Sequence, residues 1–173
     1  MRGGEQPLRV EQREDYCLVQ PSGVLDGHGE EDTAFIELLG QDERDLTEHH
    51  VLDLSDVEYM NSTMLGQVVR FHGALQARDF RLVLLGAHGT VRRVLQETGI
   101  DRLVPLVDSK DEVPEALDLK RRQAVRHRPQ NLDYDKVAEE IEEIILGGDE
   151  AAERLRQQGG ELDKLLMQEP EAP

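Results

Sequence analysis

The chain has 173 residues, 38% of them hydrophobic and 33% charged, which suits one ordinary domain with a modest core plus an added segment rather than a large multidomain enzyme. With no tryptophan and 3% aromatics, the core must be built from Leu, Val, Ile and Ala, and a base-stacking nucleic-acid platform is disfavoured. The formal net charge of −17 would repel a phosphate backbone, so the expected partners are proteins.

Two strands are predicted first, Leu8 to Glu14 and Tyr16 to Leu25, the second leaving through the turn-rich Gly23-Val24-Leu25-Asp26-Gly27. The only cysteine, Cys17, lies in the apolar run Tyr16 to Val19 and reads as a buried structural thiol with no disulfide partner in the chain. A helix from about Glu31 to Gly40 would turn Phe35, Leu38 and Leu39 inward. An alternation follows. Strand His50 to Leu54 precedes a helix from about Ser62 to Ala77, and strand Arg81 to Leu85 precedes a helix from about Gly89 to Thr98 with Val91, Val94 and Leu95 inward. A strand at Leu103 to Leu106 and a helix near Asp111 to Leu117 complete the unit. Apolar strands separated by helices imply parallel neighbours covered by helices, so the fold class is α/β.

Composition then shifts. Residues 120 to 128, KRRQAVRHR, carry five Lys/Arg and no acid, whereas residues 129 to 173 carry thirteen Asp/Glu against four Lys/Arg. The expected organisation is a domain over residues 1 to 119 that folds alone, a basic linker over 120 to 132 and an acidic helical or partly disordered extension over 133 to 173. In that extension Val137, Ile141, Ile144 and Ile145 share one helical face, Gly147-Gly148 supply a stop, and Leu155, Leu162, Leu165 and Leu166 mark shorter pieces. Helices this short need a surface, whether on the domain, on a second copy or on a partner. The start MRGGEQPLRVEQ lacks the apolar stretch of a signal peptide, and no run nears the ~18 apolar residues of a membrane span, so the cytoplasm is the expected location.

Few motifs carry chemistry. The six histidines, His28, His49, His50, His72, His88 and His127, fall on different elements without metal-ligand spacing, so no metal is expected. Gly86-Ala87-His88-Gly89 matches neither phosphate-loop pattern and reads as a turn, and no cofactor is expected. Ser62 has no nucleophile elbow around it, and Asn61-Ser62-Thr63 matches a glycosylation sequon without a secretory context. The clusters Glu139-Glu140 and Glu142-Glu143 lack calcium-loop spacing and read as a solvated face. The stretch Tyr59-Met60-Asn61-Ser62-Thr63-Met64-Leu65-Gly66 stands out because it leads from strand to helix through three cap-forming residues. Ser62 there can serve as the helix cap, or display a hydroxyl for modification.

The order VLDLSDVEYMNSTMLGQVV, RLVLLG, VRRVLQETGIDRLVPL, with GVLDG upstream, resembles the STAS domain of anti-sigma-factor antagonists over roughly residues 8 to 118. The resemblance implies a STAS-like mixed sheet covered by helices, here followed by the acidic helical extension. The family's Asp-Ser-Ser/Thr-Gly at the strand-to-helix junction falls on Asn61, Ser62, Thr63 and Met64, and its Gly-x-Leu-Asp on Gly23 to Asp26. Ser62 thereby becomes the implied phosphorylation site, with Thr63 as second candidate, and Asp26, Asn61, Ser62, Thr63 and Met64 the implied partner-binding residues. Asn61 in place of the acid and Met64 in place of the small residue depart from the pattern.

The implied function is non-enzymatic. The unmodified chain would bind a serine/threonine-kinase-type anti-sigma factor, and phosphate on Ser62 would release it. Two other readings remain open: a scaffold that self-associates or joins a signalling assembly through its acidic extension, with Ser62 merely a cap, and a small-ligand or nucleotide-binding module of the same fold.

Overall fold

The computed structural model describes residues 8–28, 30–117 and 133–161. Strands β1 (Leu8–Gln12), β2 (Tyr16–Pro21), β4 (His49–Asp53), β6 (Leu82–Leu85) and β7 (Leu106–Val107) form one sheet in the order β1-β2-β4-β6-β7. Only β1 runs antiparallel to its neighbour; β2, β4, β6 and β7 pair in parallel. A second, two-stranded sheet pairs β3 (Gly23–Leu25) with β5 (Val57–Met60), also in parallel.

From β2 onward the sheet grows in one direction, so crossovers of a single hand leave their helices on a single face. Those helices are α1 (Glu30–Leu39), α2 (Ser62–Ala77), α3 (Gly89–Glu97) and the short α4 (Ile100–Leu103). Alternation along the strands sends Cys17, Val19, Leu52, Leu82 and Leu84 into the larger core with Phe35, Leu65, Val68, Phe71 and Leu95. Leu18, Val51, Val83 and Leu85 face the opposite way, against Val113, Ala116 and Leu117 of helix α5, described over residues 113–117. Both faces of β4 and β6 are thus covered, which is why their sequences read as unbroken apolar runs.

Several elements differ from expectation for local reasons. The first strand ends at Gln12 because Arg13 N donates to Tyr16 O at 2.9 Å and closes a hairpin turn. The stretch Tyr16 to Leu25 is two strands in two sheets, the chain leaving the large sheet after Pro21 and turning at Gly23, whose φ is +76°. Leu103 closes a helical turn rather than opening a strand. Pro105 holds Val104 extended, and only Leu106–Val107 pair with β6. The segment Lys110–Glu112 is a 3-10 turn closed by a reciprocal Ser109–Glu112 capping box ahead of α5.

Helix α6 (Tyr134–Gln158) is broken at Gly148, whose φ of 62° and ψ of −150° no helix contains, so the glycine pair does interrupt it. Val137, Ala138 and Ile141 of α6 are fully buried in the larger core, with Ile144 and Ile145 packed against it. The basic run 120–128 and the residues Leu162, Leu165 and Leu166 lie outside the described residues. Among the described residues no helix is long and apolar enough to cross a membrane.

Cys17 is buried, and burial, aided by the nearby Glu48 charge, raises its pKa and keeps the thiol protonated. His50 on β4 is buried edge-on to Phe71, with Nδ1 3.1 Å from the Glu48 carbonyl. Burial outweighs the opposing pull of Glu48, so its pKa lies below the usual value. The unfolded chain therefore takes up a proton near pH ~6.5 that the folded chain refuses. The contribution of this histidine to stability is complete above that pH and is lost as the pH falls below it. Urea titrations from pH 8 to 5 should show a decline that is shallower in His50→Leu than in the parent; parallel curves would place the pH dependence elsewhere.

Candidate functional site

The junction between β5 and α2 lies beside the end of β3, because the two strands run parallel in register, with Val24 opposite Tyr59 and Leu25 opposite Met60. Asn61 N continues that ladder by donating to Leu25 O at 3.1 Å. The side chain of Asn61 then makes two further bonds. Its Oδ1 accepts from Met64 N at 2.9 Å, and its Nδ2 donates to Asp26 O at 2.7 Å. Asn61 is accordingly the N-cap of α2, with extended backbone (φ −81°, ψ 172°), and its carbonyl accepts the first helical bond from Leu65 N.

This corrects the capping role expected of Ser62. Ser62 is the first residue of α2, and the helix is capped without its hydroxyl. Three successive residues able to cap left the choice open in the sequence; the bond to Asp26 decides it, since the Asn61 amide accepts from Met64 N and donates to Asp26 O at once.

Asp26 is fixed from several sides. Asp32 of α1, itself 2% exposed, accepts from Asp26 N at 3.0 Å and Gly27 N at 2.7 Å through one carboxylate oxygen. The Asp26 carboxylate accepts from His28 N at 3.0 Å, and the Asp26 carbonyl receives the Asn61 amide. Asp32 was not singled out in the sequence. An acid in the first turn of a predicted helix, six residues after the Asp26 turn, is the signal that points to it.

Asp26, Asn61, Ser62 and Thr63 thus share one site. Ser62 is buried at 8% exposure and Thr63 is exposed. Met64 does not join them at the surface. It is 1% exposed, and its side chain belongs to the larger core, so the apolar contact expected of it beside Ser62 is absent. The exposed apolar pair at this end of the molecule is instead Val24 and Tyr59, 51% and 44% exposed and directly opposite each other across β3 and β5. Neither was predicted, because β5 is too short to show a period.

The STAS domain family matches residues 7–113, more than half of the chain. The chain belongs to the STAS domain family. The anti-sigma F factor antagonist of Paenibacillus polymyxa is 23% identical to this STAS chain over 103 residues, which cover 60% of this chain and 87% of the relative. Among solved structures, a candidate anti-sigma factor antagonist from Thermotoga maritima superposes with a TM-score of 0.57 at 24% identity, over 64% of this chain and 94% of its own. An anti-sigma factor antagonist from Mycobacterium paratuberculosis gives a TM-score of 0.52 at 25% identity, over 64% and 92%. The family match ends before α6, which this chain adds to the STAS domain.

The position where the family's pattern has Asp carries Asn61, and the geometry gives that exchange a consequence. A carboxylate could cap α2 but could not donate to Asp26 O. Asn61→Asp should keep the cap and lose the tether, and Asn61→Ala should lose both, the cap alone costing ~0.5–2 kcal/mol. Urea unfolding should rank the parent above Asn61→Asp and Asn61→Asp above Asn61→Ala. An Asp variant as stable as the parent would show that the tether to Asp26 contributes nothing.

Proposed function

We propose that this STAS protein is a non-enzymatic partner-switching component of the anti-sigma-factor-antagonist type, acting in the cytoplasm. In its unmodified form it binds a serine/threonine-kinase-type anti-sigma factor; phosphate on Ser62 releases that partner. The observation that supports this most directly is the division of labour at the start of α2: Asn61 caps the helix, so the adjacent Ser62 hydroxyl does not supply the capping bond. A phosphate at the first position of a helix gains from the unsatisfied N–H groups and the positive end of the helix dipole. It would leave the domain folded and change its surface by ~1.5–2 negative charges next to the exposed Thr63, Tyr59 and Val24. The names of the P. polymyxa and M. paratuberculosis relatives point the same way.

Because the cap belongs to Asn61, substitutions at Ser62 test binding without removing a capping bond. Ser62→Ala should bind an anti-sigma factor of the same host as the parent does. Ser62→Asp, and above all the Ser62-phosphorylated protein, should bind on the order of tenfold or more weakly, since charge is placed at the contact. Titration calorimetry on folded samples gives the comparison. Undiminished affinity of the phosphorylated protein would refute the switch.

A further inference from the structure

The face of α2 that carries Ser62 is also the face that meets α6. Ser62, Gly66, Arg70 and Gly73 follow one another at spacings of four, four and three residues, which aligns them along one side of the helix. Two of the four are glycines, and both abut α6. A Cβ on Gly73 would lie 2.7 Å from Tyr134 Cβ and Cγ, and one on Gly66 would overlap the Glu142 carboxylate. Arg70 between them pairs with Asp135 at 3.5 Å and Glu142 at 3.2 Å, and the Tyr134 hydroxyl donates to Gln76 at 3.1 Å.

These contacts fix a direction. Tyr134 and Asp135 meet α2 near residues 70 to 76, whereas Glu142, two turns later, meets Gly66 and Arg70, so the helices run antiparallel. Carried one turn further at 1.5 Å per residue, the same register brings Ile145 and Leu146 alongside Ser62 and Thr63. The burial of Ser62 and the half-burial of Ile145 against the core fit a cover that reaches Ser62 through Ile145 and ends there, since Thr63 and Leu146, the latter 81% exposed, stay open. The break at Gly148 follows directly, where α6 has passed the end of α2.

We propose that α6 is a built-in cover of the Ser62 face of α2, and that Ser62 is reached only when α6 lifts. The glycines at 66 and 73 create the groove that admits it, and the Arg70 pairs set its register. A phosphate on Ser62 would be crowded by the docked cover and repelled by the Glu142 carboxylate seated at Gly66, one helical turn along α2. Partner docking and modification at this site would both compete with α6. The functional consequence rests on the reading of Ser62 given above, whereas the cover itself stands on the packing alone.

The test needs neither kinase nor partner. In the full-length chain, Cys17→Ala with Ser62→Cys leaves one thiol, at the covered position. Its labelling by a small aromatic disulfide reagent should be slow and limited by opening of α6. Adding Gly73→Ala wedges Tyr134 outward while favouring α2 itself, and adding Glu142→Lys sets a cation against Arg70. Each should raise the labelling rate by roughly tenfold or more, together with hydrogen exchange over residues 134–146 and without loss of protection in β4 and β6. Faster exchange in α6 with unchanged labelling would show that something else covers residue 62 and would overturn the proposal. Exchange and labelling both unchanged in the two variants would show that α6 is not seated on this groove and would overturn it as well. Faster labelling in both variants sustains the cover even if phosphorylated protein keeps its partner affinity, an outcome that removes the switch and not the cover.

Discussion

The start of α2 depends on a single side chain. A helix leaves its first N–H groups without partners, and at this junction the chain arrives from a two-stranded sheet too small to hold the turn by itself. Asn61 meets both needs at once, accepting from Met64 N and donating to Asp26 O. Asp32 completes the arrangement from α1 by holding Asp26 N and Gly27 N. Two stretches far apart in the sequence, Asp26 and Gly27 with Asp32 on one side and residues 57–64 on the other, are thereby locked around Ser62. A substitution or modification at Ser62 acts at a buried position whose backbone is held by other residues, which is what a switch that does not unfold its domain requires.

The second feature that shapes the molecule is the close approach of α6. Glycine within a helix is disfavoured by roughly 0.8–1 kcal/mol relative to alanine, so two glycines on one face of α2 weaken that helix considered alone. Their contribution is the depth they give the groove, which lets Tyr134 and Glu142 reach the helix surface and Val137, Ala138 and Ile141 enter the core. The acidic helix is matched to its site by Arg70, a half-buried cation facing Asp135 and Glu142. Net charge alone would not predict an acidic helix on an acidic domain; local pairing and apolar burial decide it.

The large elements were legible because they are long and strongly patterned. The apolar runs of β4 and β6 and the inward residues of α2 and α3 announce an α/β fold, and the stripe Val137, Ile141, Ile144, Ile145 is readable from its spacing without reference to the surface it docks on. The small sheet was not legible. Val57 to Met60 is four residues with exposed Glu58 and Tyr59 in the middle, and its partner β3 has three, so neither offers a period to read. The cap was ambiguous because Asn61, Ser62 and Thr63 can each serve, and the deciding bond goes to a carbonyl 35 residues earlier. The resemblance places Met64 among the partner-binding residues, yet its side chain turns inward. The α6 contact did have a sequence signal in the pair Gly66 and Gly73, spaced two turns apart within an otherwise regular helix.

The claim that Ser62 is a regulated hydroxyl is tested most directly by mass spectrometry of the protein isolated from its native host across growth and stress conditions, with full fragment coverage of residues 59–70. A regulated Ser62 should carry phosphate in a fraction of the molecules that changes with condition. Complete coverage with Ser62 unmodified in every condition, or phosphate confined to Thr63, would contradict it.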